Sequence, residues 1–213
     1  MKWIVIFLFF CAASLQGAQT PETALKRLQA GNKRFVKEDL LHPDRTHERR
    51  LSLAESQSPY GVIVTCSDSR VVPEVIFDEG LGDLFVIRVA GNIIGPTELE
   101  SVMYAVDHLD PSVIVVMGHE NCGAVGAVVD GDIEGIPAIA GYIEPSVKQA
   151  KNMRPTDLLR LSIELNVLKM RELLLHSPGI NKQVQAKSIA VHGAYYNLQS
   201  GQVEFFDSIP NGK

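Results

Sequence analysis

The stretch GVIVTCSDSR, residues 61–70, joins an apolar run of strand length to a short polar segment that begins with a cysteine. Two more continuous apolar runs follow, at residues 84–89 and 113–117. A strand with one solvated face alternates apolar and polar residues, whereas continuous runs such as these are typical of parallel strands buried on both faces. The sequence therefore predicts a parallel sheet at the centre of the fold.

Helical patterns separate these runs and place the protein in the α/β class. Pro96 opens one helix and Gly131 closes another. The predicted helices span residues 96–109, 122–129, 136–150 and 156–175. Residues 188–194 and 202–206 predict a terminal β-hairpin. We expect a single α/β domain with a mostly parallel central sheet flanked by helices and a C-terminal hairpin.

Residues 20–58 follow a different pattern, with a thin apolar face among many charged residues. Thr20 and Pro21 form a good helix start, with a hydroxyl cap followed by proline at the first helical position. Gly31 interrupts the apolar stripe, so we expect a kink or two short helices there. We interpret the segment as an N-terminal helical arm of the kind that packs across another subunit.

Residues 1–18 have the pattern of a secretory signal peptide. Lys2 is followed by an uncharged, mostly apolar run from Trp3 to Leu15 and then by small residues. This run is shorter than the roughly 20 residues of a membrane-spanning helix, although an uncleaved anchor is the alternative. We expect cleavage near Ala18, a mature domain of residues 19–213 with no stable membrane span, and a periplasmic or secreted location.

The cysteine count and the charge exclude two classes of protein. Three cysteines in 213 residues are too few for a disulfide framework, and Cys11 lies within the predicted signal peptide. The mature chain therefore holds only Cys66 and Cys122. The formal net charge is −5 and the basic residues are scattered, so we expect no nucleic-acid partner.

Both remaining cysteines lie where a strand ends and have other metal-ligand types beside them. Cys66 follows the first apolar run, and His119 and Cys122 follow the third. In an open α/β sheet, ligands gather outside the carboxyl ends of the strands, so these segments can converge. Two thiolates and an imidazole are three good ligands for Zn²⁺, and a catalytic zinc site has three protein ligands and one open position. The sequence therefore predicts a zinc centre.

Asp68 and Arg70 lie close to that centre in sequence. In an extended segment both side chains leave the same face as Cys66, so they can pair. A bidentate Arg70 would hold Asp68 ionised and aimed at the metal site as a catalytic dyad. Without the arginine, Asp68 could itself take the fourth zinc position and close the site.

Each motif taken alone is a weak signal. Cys-x-Asp-x-Arg and His-x-x-Cys are each more often a core cysteine beside a capping or surface charge. In an exported protein, a disulfide between Cys66 and Cys122 is a further alternative. The metal interpretation gains weight because both mature cysteines combine with the other ligand types.

The two motifs together, in this order and about fifty residues apart, resemble the β-class carbonic anhydrases. The resemblance extends from roughly residue 24 to residue 206. The matching segments are the N-terminal helix at residues 24–35, the first motif at 66–73, Arg88-Val89-Ala90-Gly91-Asn92, and Gly118-His119 with Cys122-Gly123. As a set these motifs are highly specific, and the resemblance implies an exported bacterial-type member.

The resemblance also implies roles for individual residues. Cys66, His119 and Cys122 match the zinc ligands, and Asp68 with Arg70 matches the catalytic dyad. The positions that match substrate-binding residues, some of them contributed by a neighbouring subunit, are Gln57, Phe85, Ala90, Tyr104 and Gly123. Ile63 and Thr65 replace the tryptophan and glycine that are common in members with a regulatory bicarbonate site, so we do not expect that site here.

The activity implied is reversible hydration of CO2 to bicarbonate and a proton, by attack of zinc-bound hydroxide on CO2. One zinc ion per subunit and a homodimer or dimer of dimers are implied with it. An alternative on the same scaffold is hydrolysis of carbon disulfide or carbonyl sulfide. A non-catalytic zinc-binding module is a further alternative, and the presence of Asp68, Arg70 and Gln57 argues against it.

Overall fold

Five strands form one mostly parallel sheet in the computed structural model, which describes residues 19–210. The strand order is β2-β1-β3-β4-β5; the first four are parallel and β5 is antiparallel to β4. The strands are β1 Gly61–Thr65, β2 Leu84–Arg88, β3 Val113–His119, β4 Ala190–Tyr196 and β5 Val203–Phe206. The α/β class and the terminal hairpin are thereby confirmed.

Within residues 19–210, eight α-helices connect and cover these strands. They are α1 Pro21–Val36, α2 His47–Ser52, α3 Pro73–Ile76, α4 Pro96–His108, α5 Gly123–Asp130, α6 Pro137–Met153, α7 Leu158–His176 and α8 Pro178–Gln185. The short helices α3 and α8 were not predicted, because each spans too few residues to show a helical period. None of these helices is long and apolar enough to cross a membrane.

The sheet is buried on both faces, as the continuous apolar strands predict. Val62 and Val64 of β1 contribute to a core shared with α4 to α8, whereas Ile63 contributes to a second core that includes Ala24 and Leu28 of α1. Successive side chains of a strand point to opposite faces, so β1 supplies both cores. The carboxyl ends of the strands are thus held between two layers of helices.

Helix α1 departs from the expected break at Gly31, while the packing of residues 20–58 across another subunit stays a prediction. It continues through Gly31 without a kink, because the glycine permits close contact: a Cβ there would lie 1.7 Å from the carbonyl oxygen of Phe77. Its buried residues Ala24 and Leu28 pack in this protomer's own core, so they are not available to another subunit. The six-residue helix α2 buries none of its residues. The predicted signal peptide lies outside the described residues.

Candidate metal centre

The ends of β1 and β3 bring three metal-ligand side chains together. The two strands are neighbours in parallel register, with Thr65 opposite Met117. Cys66 directly follows β1, His119 is the last residue of β3, and Cys122 immediately precedes α5. All three residues are buried, and their ligand atoms lie within 4.8 Å of one another. The arrangement fits one metal ion.

The two cysteines are free thiols and form no disulfide with each other. A hydrogen bond from the Cys122 thiol, with further bonds from the Asp68 and Gly91 amides, lowers the pKa of Cys66. The same bond, together with burial, raises the pKa of Cys122. These opposite shifts mean that Cys66 ionises before Cys122, and a metal ion bound by both thiolates would displace the proton of Cys122.

His119 presents an unpaired nitrogen to this cluster. Its Nδ1 lies 2.8 Å from the carbonyl oxygen of Glu120, which can only accept, so Nδ1 carries the proton. Nε2 then has a free lone pair, and it has no hydrogen-bond partner within residues 19–210 although the ring is fully buried. A metal-binding imidazole is normally oriented by such a bond from its other nitrogen. The tautomer is the one a metal ion requires.

Asp68 and Arg70 form a bidentate ion pair beside the cluster. Oδ1 of Asp68 accepts from the Arg70 backbone N–H and from Nε, both at 2.9 Å, and Oδ2 accepts from Nη2 at 2.7 Å. The Arg70 guanidinium holds the pKa of Asp68 well below its ordinary value. Oδ2 lies 3.9 Å from Nε2 of His119. An ionised carboxylate is therefore fixed next to the three ligands.

Arg88 and Gly91 complete the surroundings of Cys66, and sequence reasoning assigned neither a specific contact. Arg88 donates from Nε to the Cys66 carbonyl at 3.2 Å and from Nη2 to the Asp68 carbonyl at 2.7 Å. The Gly91 N–H donates to Sγ of Cys66 at 3.3 Å. Their position at the end of β2, the strand next to β1, is the signal that could have indicated them.

Comparison with known proteins identifies the family. The family model described as "Carbonic anhydrase" matches residues 61–203. The protein "Carbonic anhydrase 2" of Mycobacterium tuberculosis is 37% identical over 201 residues, which are 90% of this chain and 95% of that protein. The chain belongs to the β-class carbonic anhydrases.

Solved β-carbonic anhydrases have the same fold. A tetrameric enzyme from Sordaria macrospora is similar to this chain with a TM-score of 0.69 at 27% identity, covering 74% of this chain and 85% of that one. The enzyme CafA of Aspergillus fumigatus has a TM-score of 0.68 at 27% identity, covering 89% and 92%. The metal centre of this carbonic anhydrase therefore lies in a fold already associated with the activity.

The structure places two of the predicted substrate-binding residues at the metal centre of the same chain. Ala90 begins a 3₁₀ turn, Ala90–Asn92, whose Gly91 contacts Cys66. Gly123 is the first residue of α5, directly after Cys122, and a Cβ there would meet no atom within 4 Å. Both residues thus lie at the edge of the site, and the space at Gly123 is open.

The other three residues lie away from this centre. Gln57 is exposed and lies four residues before β1, which is about 16 Å long and has Cys66 at its other end. Phe85 lies opposite Val62, about 13 Å before the level of Cys66 along the sheet. Tyr104 of α4 is 51% exposed, and its ring centroid lies 6.3 Å from that of Phe85. A single subunit of this carbonic anhydrase does not bring them to its own metal centre.

Proposed function

We propose that this protein catalyses the reversible hydration of CO2 to bicarbonate and a proton, on one zinc ion per subunit held by Cys66, His119 and Cys122. The observation that carries the proposal is the buried Cys-His-Cys cluster with an Arg-held aspartate beside it. A structural metal site needs no such aspartate, whereas a hydration site does.

The donor set supports zinc as the metal. Two thiolates and one imidazole are soft and borderline ligands of the kind that Zn²⁺ selects, and three protein ligands leave a fourth position open. When bound, zinc supplies Lewis-acid activation of water near neutral pH. The chain prepares two of the three ligands for the metal, since Nδ1 of His119 is bonded to Glu120 and Cys66 accepts an amide hydrogen bond.

Asp68 is the group that orients the reacting water and the product. An ionised carboxylate has about four acceptor positions. The guanidinium and the backbone N–H of Arg70 occupy three of them on Asp68. One position of Asp68 is left to accept a hydrogen bond in front of His119. Arg70 donates hydrogen bonds to both carboxylate oxygens. It thereby also holds Asp68 away from the fourth metal position, which the carboxylate would otherwise be able to fill.

The substrate pocket is proposed to be completed by a second subunit. Gln57, Phe85 and Tyr104 match substrate-binding positions of the family but lie away from the metal centre of their own chain. The similar enzyme of Sordaria macrospora is tetrameric. A homodimer or a dimer of dimers would bring these residues to the neighbouring site, and the apolar rings would then exclude water from around CO2.

Stopped-flow CO2 hydration by the zinc-loaded protein, across pH 6.5 to 9, tests the activity. Asp68→Asn should reduce kcat/KM by about 10²-fold or more while zinc stoichiometry is retained, since a positioned acid–base group contributes at least that much. Asp132→Asn, which alters an exposed carboxylate outside the site, is the matched control and should match the wild type. Full zinc occupancy with no hydration above buffer at any of these pH values would overturn the proposal.

We further propose that residues 1–18 direct export and are removed. The uncharged run after Lys2 supports this, because it has the length of a signal-peptide core. Export to an oxidising compartment would give the metal a second role, since bound zinc protects both thiolates from oxidation. Expression of the full chain in a bacterium, followed by fractionation and N-terminal sequencing, tests the proposal. A chain found only in the cytoplasm with Met1 or Lys2 at its start would contradict it.

A further inference from the structure

The Gly91 amide donates a hydrogen bond to the Cys66 sulfur, and its position depends on an unusual backbone conformation. The bond from N–H to Sγ spans 3.3 Å. Gly91 has a φ of +71°, and a Cβ there would lie 2.7 Å from Cδ1 of Ile143. Asn92, the next residue, also has a positive φ, of 46°. Glycine adopts this backbone region freely, but for Asn92 it is strained and persists only when its surroundings hold it.

Asn166 of α7 supplies that support. It is fully buried, and its Nδ2 donates to the carbonyl oxygen of Gly91 at 2.8 Å. A carbonyl only accepts, so the orientation of the amide is fixed by its partner. The Asn166 side chain therefore fixes the peptide group between Gly91 and Asn92. The peptide group between Ala90 and Gly91 directs its N–H at the Cys66 sulfur.

Helix α7, which carries Asn166, is itself fixed by packing against β3. Ile163 and Val167, one helical turn apart, pack against β3 at Gly118, where a Cβ would lie 2.7 and 2.8 Å from their methyl carbons. Ile163 also lies three residues before Asn166, on the same side of the helix. Gly118 directly precedes His119. One face of α7 thus contacts the residue before the histidine and, through Gly91, the environment of the cysteine.

We infer that Asn166 is a positioning residue for the metal centre: by holding the Gly91 carbonyl, it aims the Gly91 amide at the Cys66 thiolate. An N–H donor draws electron density from the sulfur, so the thiolate neutralises less of the metal's charge and is held in one orientation. This matters in a centre with two thiolates, where strong donation weakens Lewis acidity. The inference rests on the proposed function, because it presumes a metal bound to Cys66.

Cobalt substitution of the intact protein tests the inference through a spectroscopic signal. Asn166→Leu keeps the branched shape but removes the donor. We expect the thiolate-to-Co(II) charge-transfer band to move to lower energy, and zinc loss to a chelator to become about 10-fold faster or more. The matched control is Ser162→Ala on the same helix, where the buried hydroxyl donates a hydrogen bond to the Leu158 carbonyl and makes no hydrogen bond with the Gly91 turn in the described part of the chain. This control should leave the band and the zinc-loss rate unchanged.

A folded Asn166→Leu protein with the wild-type band and zinc-loss rate would overturn the inference. So would a Ser162→Ala protein that shifts both by the same amount, since the effect would then be general destabilisation of α7. The proposed function fails separately, through absent hydration by the wild type, so the two failures are distinguishable.

A measurement on the wild type removes any dependence on the variant's folding. With ¹¹³Cd in place of zinc, the Gly91 amide proton should show a scalar coupling to the metal through the hydrogen bond to Cys66 Sγ. The coupling requires the N–H···S contact itself and does not arise from mere proximity of the turn. Its absence in a fully loaded protein whose Gly91 amide is assigned would overturn the inference.

Discussion

Asp68 and Arg70 act as one unit at the residue scale, because the guanidinium occupies both carboxylate oxygens. Arg70→Ala should therefore reduce hydration by about 10²-fold or more, since Asp68 then loses its orientation and becomes free to reach the fourth metal position. Stopped-flow hydration with metal analysis measures the effect. Zinc content should not change, because neither residue belongs to the Cys-His-Cys cluster.

The double variant decides whether the two residues are coupled. If Arg70 acts only through Asp68, Asp68→Asn combined with Arg70→Ala should be no slower than Asp68→Asn alone. A double variant whose losses multiply would show that Arg70 has an independent role, for example by attracting bicarbonate. That outcome would contradict the coupled pair described above.

The metal-ligand residues could be predicted from sequence, whereas their supporting contacts could not. Cys66 and His119 each mark the end of a continuous apolar run, and the ends of parallel strands share one edge of a sheet. The bond from Gly91 to Cys66 depends instead on a φ of +71° in a three-residue turn. The hydrogen bonds from Arg88 to the Cys66 and Asp68 carbonyls depend on β2 lying next to β1, and no local sequence pattern encodes strand order.

At the element scale, α1 docks through a glycine that the sequence pattern alone suggested was a break. Gly31→Ala should lower the free energy of unfolding by about 1–3 kcal/mol, because the new methyl group would meet the Phe77 carbonyl oxygen 1.7 Å away. Urea denaturation followed by circular dichroism measures the change. Helix propensity alone favours alanine, so the sign of the result separates packing from propensity.

Gly141 of α6 is the matched control for this substitution. It also lies inside a helix, but a Cβ there would meet no atom within 4 Å. Gly141→Ala should therefore raise stability by about 0.5–1 kcal/mol. Equal effects at the two positions would show that the contact between α1 and Phe77 does not constrain the helix.

A buried carboxylate fixes the loop that follows α1. Burial would raise the pKa of Asp78, but hydrogen bonds from the Leu41 and His42 amides and from Arg34 more than offset it, so the pKa lies below the ordinary value. A lowered pKa means that ionised Asp78 contributes stability above about pH 4. That stability is lost as the pH falls through the folded-state pKa.

Asp78→Asn should therefore cost about 3 kcal/mol of unfolding free energy near pH 7, and the difference from wild type should shrink toward about pH 3. Urea denaturation of both proteins at several pH values gives this difference; metal release in acid affects both alike. Burial raises the pKa of neighbouring Glu79, whose contribution has the opposite sign but is common to both proteins.

Asp39→Asn, at an exposed position nearby, is the control and should change stability by less than about 0.5 kcal/mol. A pH-independent difference for Asp78→Asn would contradict the assignment.

Elements with a strong period could be predicted well, and those set by tertiary contact could not. The helices at α4 and α7 were predicted to within two residues because their apolar periodicity is long. The kink expected at Gly31 was wrong, since the pattern shows a missing side chain but not the Phe77 backbone that fills its place. The same contact places the apolar face of α1 on its own sheet.

At the scale of the whole molecule, the aromatic surface of α4 and β2 favours association with a second subunit. Tyr104 is 51% exposed, and its ring lies next to Phe85 and His108, with centroid distances of 6.3 and 4.9 Å. Strand β2 is an edge of the sheet, so this surface faces outward. Exposed aromatic side chains such as Tyr104 are enriched at interfaces between subunits.

If a second subunit covers this surface, Tyr104→Glu should produce monomers that retain zinc but lose hydration on the order of 10²-fold, because the partner's apolar residues no longer position CO2. Light scattering, metal analysis and stopped-flow kinetics on one preparation provide the three readouts. Met153→Glu introduces the same charge at an apolar side chain of 49% exposure at the end of α6, and should leave mass and activity unchanged. A Tyr104→Glu protein that is fully active as a monomer would show that each subunit holds a complete site. A fully inactive oligomer would place the role of Tyr104 in the chemistry and not in assembly.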